Sequence, residues 1–209
     1  MQLELGPYAE NCYIVGQPGA AERVVVDPGW PGPAVEDALG GTRCAGILIT
    51  HGDIDHVAGV AELARSSGAP VHIPAEERMR LERINDFIPA GVEGVTFESY
   101  EPDVLLQGDE GLDLAGMHFE TVRVPGHTEA HVAFAADGCL FSGDVLFAGG
   151  VGRTDRPNGD WGTLLESIRT LIERFPAETV VYPGHGPATT LGKELAANPF
   201  LAELRAATR

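Results

Sequence analysis

Five β-rich runs in this 209-residue chain end in short tags of histidine, aspartate and glycine. RVVV runs into Asp27-Pro-Gly, ILIT into His51-Gly-Asp53, TVRVP into Gly-His127, CLFS into Gly-Asp144, and TVVYP into Gly-His185-Gly. Residues just past the ends of neighbouring strands converge in space, and that edge is where α/β proteins place their sites. A glycine beside the polar residue lets the backbone turn sharply enough to aim the side chain inward. The pattern asks for a fold in which several strands end together.

Runs rich in Val, Ile, Phe and Tyr predict strands over 12–15, 23–26, 46–50, 71–73, 119–124, 131–135, 139–142 and 179–182. Helices are predicted over 32–39, 57–66, 76–87, 161–174 and 191–204. In 161–174, Leu164, Leu165, Ile168, Leu171 and Ile172 recur on one face, with Asp160 placed to cap the N-terminus. Strands interleaved with helices give an α/β class, with sheets covered by helices. At this length one domain spanning 1–209 is expected, and 89–111 reads as an irregular loop.

The net charge of −17 argues against nucleic acid as a partner, because phosphate neutralisation needs clustered Lys and Arg. It equally disfavours an anionic membrane surface. No apolar run reaches the roughly 18 residues of a membrane helix, and no basic segment leads an apolar one at the start. A cytoplasmic location is expected. Cys12, Cys44 and Cys139 have no CxxC spacing and read as small buried hydrophobes.

The segment THGDIDH carries His51, Asp53, Asp55 and His56 within six residues. Burying so much charge without a counter-ion is costly. Imidazoles and carboxylates held together are what a divalent cation requires. His127, Asp144 and His185 supply three further donors in the same strand-end setting. Seven donors are too many for one tetrahedral ion and suit two ions joined by a bridging carboxylate. His131 reads as a packing or hydrogen-bonding residue, and His72 and His118 as ordinary structural or surface residues.

The set THxxxDH, PGHTxxH, SGD and PGHG, in this order, resembles the metallo-β-lactamase fold superfamily. Within it, GPYAENCYIV at 6–15, VGRTDRPNGD at 151–160 and TTLGKELAANPFL at 189–201 resemble the compact glyoxalase II-like hydrolases. The resemblance implies an αββα sandwich of two facing sheets with helices outside. It implies His51, Asp53 and His127 on a first metal, Asp55, His56 and His185 on a second, and Asp144 bridging them. It also implies that Asp27 orients a ligand from outside. The usual motif is THxHxDH, so Asp53 stands where histidine is usual. Three outcomes stay open there. The carboxylate replaces the imidazole and shifts preference from zinc towards iron or manganese; its shorter reach leaves the first metal under-coordinated; or only the second site holds a metal.

The reaction implied is hydrolysis of an acyl thioester or related ester by water activated on two divalent ions, with Asp55 aligning the nucleophile. Larger glyoxalase II enzymes grip glutathione with basic residues of an added C-terminal region, whereas only Lys193 and a few arginines follow His185 here. Arg153 could meet an anionic substrate, or pair with Asp155 instead. The 76–87 helix and the loop after it are placed to cover the site. Alternatives are a lactonase, an iron-dependent persulfide dioxygenase-like enzyme, and a degenerate metal-binding protein. No GxSxG elbow competes as a nucleophile.

Overall fold

The β-branched and aromatic runs form two six-stranded sheets in a computed structural model that describes residues 1–89 and 94–207. The first sheet contains β1 (Gln2–Leu5), β2 (Glu10–Val15), β3 (Glu22–Val26), β4 (Arg43–Leu48), β5 (Val71–Pro74) and β6 (Val104–Leu106), in that spatial order. The second contains β7 (Gly111–Leu114), β8 (Met117–Arg123), β9 (Val132–Ala136), β10 (Cys139–Gly143), β13 (Val180–Pro183) and β14 (Thr189–Thr190). Its order is β14-β13-β10-β9-β8-β7. A small ribbon, β11 (Leu146–Phe147) with β12 (Gly150–Val151), follows β10.

Period-two alternation sorts the side chains into layers. On β3, Val24 and Val26 enter a cluster with Leu48, Phe119, Phe134 and Phe141, drawn from both sheets and therefore lying between them. Val25 points the other way and packs with Ile47, Ile73, Leu63 and Leu81 beneath the helices of the first sheet. Those helices are α1 (Ala34–Leu39), α3 (Val60–Ser67) and α4 (Arg78–Glu82). On the second sheet, Ala133, Leu140 and Val181 pack against Leu164, Ile168 and Leu171 of α5 (Trp161–Arg174), and against Leu191 and Leu201. Strands buried on both faces explain why they read as near-continuous hydrophobic runs. The result is a helix-sheet-sheet-helix sandwich.

Register fixes where the strand ends fall. β3, β4, β5 and β6 pair in parallel, as do β10 and β13, so their C-terminal ends line up along one edge. Polar bonds cross between the sheets at that edge. Asn11 N donates to Gly184 O at 2.7 Å, Val132 N to Thr50 O at 3.0 Å, and Tyr13 Oη to Pro183 O at 2.7 Å.

Helix α5 covers the predicted 161–174, and Thr163 N donates to Asp160 Oδ1 at 2.7 Å, the expected cap. Other boundaries differ. The predicted 57–66 helix is α2 (Ile54–Val57) followed by α3. The 76–87 segment is α4 between two 3₁₀ turns, Ala75–Glu77 and Ile84–Phe87. Pro199 divides 191–204 into α6 (Leu191–Ala197), a 3₁₀ turn and α7 (Ala202–Ala207), since its ring cannot continue the helix. The 89–111 stretch holds β6, too short to show alternation, while residues 90–93 lie outside the described residues. Cys12 and Cys44 are buried, but Cys139 is only half-buried, which corrects the uniform reading of the three. Among the described residues no helix is long and apolar enough to cross a membrane.

Candidate metal centre

The tags meet at the aligned strand ends. Asp27 follows β3, His51 follows β4, His127 follows β8, Asp144 follows β10 and His185 follows β13. Asp53 precedes α2, which carries Asp55 and His56 in its single turn. Among the described residues four groups of donor atoms draw together: His51, Asp53 and His127; His51, His56 and Asp144; Asp55, His56 and His185; and Glu10, Asp27 and His56.

Asp144 sits among them. Its Oδ1 is 3.4 Å from His56 Nε2, and its Oδ2 is 3.7 Å from His127 Nε2 and 3.6 Å from His185 Nε2. His127 Nε2 is also 3.4 Å from Asp53 Oδ2, and His185 Nε2 is 3.4 Å from Asp55 Oδ2. Burial would raise the pKa of Asp144, but His56 and then His127 hold it well below the usual carboxylate range. Gly184 makes the packing feasible, because a Cβ there would lie 2.7 Å from His56 Cε1 and closer still to Asp144 Oδ1.

Three of the four imidazoles turn Nε2 inward while Nδ1 is tied outside. His51 Nδ1 donates to Thr50 Oγ1 at 3.0 Å, and Thr50 Oγ1 donates to Asp27 Oδ2 at 2.7 Å. His56 Nδ1 donates to the same Asp27 oxygen at 3.0 Å, and His127 Nδ1 to the Arg153 carbonyl at 2.8 Å. Asp27 also accepts from Thr50 N at 2.8 Å, so one buried carboxylate orients both His51 and His56. This is the arrangement that fixes tautomer and ring direction in metal-ligating histidines.

His51 Nε2, His56 Nε2, His127 Nε2 and Asp144 Oδ1 are buried without a hydrogen-bond partner among the described residues. Orphaned buried polar atoms are costly, and here they face one another. Ligand bonds of about 2 Å to one tetrahedral ion put neighbouring donors about 3.3 Å apart, close to the 3.4–3.7 Å spacings quoted above. The donor set fits divalent metal.

Several further residues pack on the centre. Glu10 is fully buried beside His56, with Oε1 3.7 Å from Nδ1, and burial pushes its carboxyl well above the ordinary value. His131 stacks on His51 with centroids 4.6 Å apart and accepts the Asp144 N–H at 3.1 Å. Burial, then His127, pushes its pKa down to about 3, which keeps it a neutral acceptor. Arg153 pairs with Asp155 at 2.7 and 2.8 Å, the alternative its position in the sequence offered, and its carbonyl accepts from His127 Nδ1. The arginines that reach the cluster are Arg80 and Arg156, both on Asp53. Burial would raise the pKa of Asp53, but His127, Arg156 and Arg80 lower it. His72 is buried and His118 exposed, neither in the cluster.

The family description "Metallo-beta-lactamase superfamily" matches residues 5–185. Hydroxyacylglutathione hydrolase GloC of Haemophilus influenzae is 32% identical over 214 residues, covering 96% of this chain and 98% of that protein. The crystal structure of BLEG-1 B3 metallo-beta-lactamase superposes with a TM-score of 0.88 at 34% identity, covering 97% of this chain and 99% of that one. That of TTHA1623 in a di-iron-bound form gives 0.85 at 35% identity, covering 96% and 100%. With this fold, these strand-end donors and a match over most of its length, the chain belongs to the metallo-β-lactamase superfamily, whose members bind metal ions.

Proposed function

We propose that this chain is a metal-dependent hydrolase of acyl thioesters or related esters. His51, Asp53 and His127 would hold one divalent ion, and Asp55, His56 and His185 a second, with Asp144 shared. The observation that carries the reading is the placement of Asp144, whose two oxygens face the Nε2 atoms of His56, His127 and His185 at 3.4–3.7 Å, the first two buried without a hydrogen-bond partner among the described residues. Similarity to GloC along nearly the whole chain supports the thioester class. Ions held there would acidify water from a pKa of about 15.7 towards about 7 and polarise an acyl carbonyl.

The protein's own part is positioning and exclusion. His51 and His56 are fully buried and fixed through Asp27, so hydrogen bonds hold the inner wall in place before substrate arrives. His185 and Asp55 are the more accessible side chains of the cluster, 3.4 Å apart, and the Asp55 oxygen not turned to His185 would accept a hydrogen bond from the attacking water and aim it. Phe147 meets His185 edge-on at 6.1 Å and gives the mouth an apolar side for an acyl chain. Zinc would serve this chemistry, and iron is the alternative, two irons being the ions named for TTHA1623.

The test is a substrate panel of S-lactoylglutathione, simple acyl thioesters, a lactone, a chromogenic cephalosporin and glutathione persulfide. Each is run on protein as purified, after chelation, and after reloading with zinc, iron or manganese. Thioester turnover that vanishes on chelation and returns on reloading is the expected result. Oxygen uptake on persulfide without ester turnover would sink the hydrolase reading.

A further inference from the structure

Asp53 is the carboxylate of the centre that has arginine partners. Arg156 Nη1 donates to Oδ2, and Arg80 Nη1 lies 3.4 Å from Oδ1, so each oxygen of a short side chain is engaged by a different guanidinium. Arg80 is itself fixed. Its Nε is 3.8 Å from Glu77 Oε2, and its guanidinium lies 4.8 Å over the Phe87 ring. Gly52, between His51 and Asp53, admits this approach: a Cβ there would lie 2.5 Å from Arg80 Cβ and 2.7 Å from Glu77 Oε2. The α4 segment is therefore docked directly on the metal-binding loop.

The charges balance. Asp53 and Glu77 offset Arg80 and Arg156, so this quartet leaves no unpaired cation to recruit an anionic substrate. An oxygen of a carboxylate has two lone-pair directions, so Oδ2 can accept from Arg156 and still face His127 Nε2 at 3.4 Å. Arg156 does not take the place of an ion, because His51 Nε2 and His127 Nε2 receive no hydrogen bond from it or from any other described residue.

We propose that Arg80 and Arg156 are positioning residues: a paired clamp that aims Asp53 Oδ2 at the first metal position and cancels the charge the carboxylate adds there. The proposal rests on reading His51, Asp53 and His127 as ligands. Its physical logic has two parts. A free aspartate can swing both oxygens about its terminal torsion, and two guanidiniums remove that freedom. A bare carboxylate would draw the site towards harder ions, and the paired cations hold its charge near that of an imidazole donor set.

The experiment is chelator-competition titration of the metal-free full chain with zinc and with manganese, which needs no substrate. The proteins are native, Arg156→Leu, Arg156→Lys and Arg80→Met, and the same arginine changes in an Asp53→His background. Arg156 is partly exposed, so its truncation should leave the fold intact, and melting of the metal-free variants checks this. The native chain should bind two ions. Arg156→Leu and Arg80→Met should each weaken one zinc ion by about 10- to 100-fold, weaken manganese less, and leave the other position unchanged, with Arg156→Lys recovering part of the zinc loss. In the Asp53→His background Arg156→Leu should cause no loss.

Unchanged or tighter zinc binding in Arg156→Leu, or a zinc-to-manganese preference that does not move towards manganese, would overturn the proposal, since the arginine would then be idle or a competitor of the ion. An equal loss in the Asp53→His background would also overturn it, by exposing a general structural role. A native chain holding one ion or none would remove its basis. Two clamp-dependent ions with no ester turnover would leave the clamp standing and defeat only the thioesterase reading.

Discussion

Replacing Asp144 with asparagine is expected to strip metal from both positions and to cut hydrolytic turnover by at least about 10³-fold. Asparagine keeps the shape but removes the charge and one acceptor oxygen, while three imidazoles at 3.4, 3.7 and 3.6 Å depend on the two oxygens present now. Lewis-acid stabilisation of a developing oxyanion is worth several kcal/mol, and about 4 kcal/mol corresponds to roughly 10³-fold in rate. Metal per chain by elemental analysis, beside turnover on the best panel substrate, gives the comparison. Retention of two ions by Asp144→Asn would show that the carboxylate is not shared between them.

The second large effect is on stability and needs no metal. Asp27→Ala should destabilise the metal-free protein by about 3–5 kcal/mol, because it strands buried partners rather than merely deleting a contact. Thr50 N, Thr50 Oγ1 and His56 Nδ1 all donate to Asp27, which is 2% exposed. The residue also sits in the left-handed region at φ 48°, which Asp and Asn tolerate better than most side chains. At 2–4 °C per kcal/mol for a chain of about this size, the melting temperature should fall by roughly 10 °C. Asp27→Asn, which keeps the conformational tolerance and one acceptor, should fall between alanine and native. An alanine variant melting within about 2 °C of native would refute this role for Asp27.

The strand-end donors were legible because local chemistry marks them. A β-rich run followed by a tag of glycine with histidine or aspartate is compatible with few structures; His51, His127, Asp144 and His185 stand in such tags, and His56 was marked by the crowding in THGDIDH. Arg156 lies 103 residues from the carboxylate it engages, and within VGRTDRPNGD nothing local separates it from a solvated charge. Arg80 sits on a segment whose periodicity promised one helix and instead makes a single helical stretch between 3₁₀ turns. Glu10 resembles a surface glutamate at a strand start, yet tertiary packing buries it completely. Sequence separation hides such residues, since nothing local distinguishes a charge that will be paired from one that will be wet.

The bonds from Asn11 to Gly184, from Val132 to Thr50 and from Tyr13 to Pro183 join the two sheets beside the donor cluster, whereas Phe119, Phe134 and Phe141 fill the space between them. Apolar contact is non-directional and tolerates small slips, but hydrogen bonds do not. The sandwich is therefore built like a book whose spine is the functional edge. Opening should begin at the fore-edge and reach the spine last, and metal loading should slow amide exchange of Asn11 in one sheet and Val132 in the other together. Exchange that responds in one sheet alone would refute the shared spine. On this view the centre doubles as the clasp that sets how far the two halves of the molecule can part.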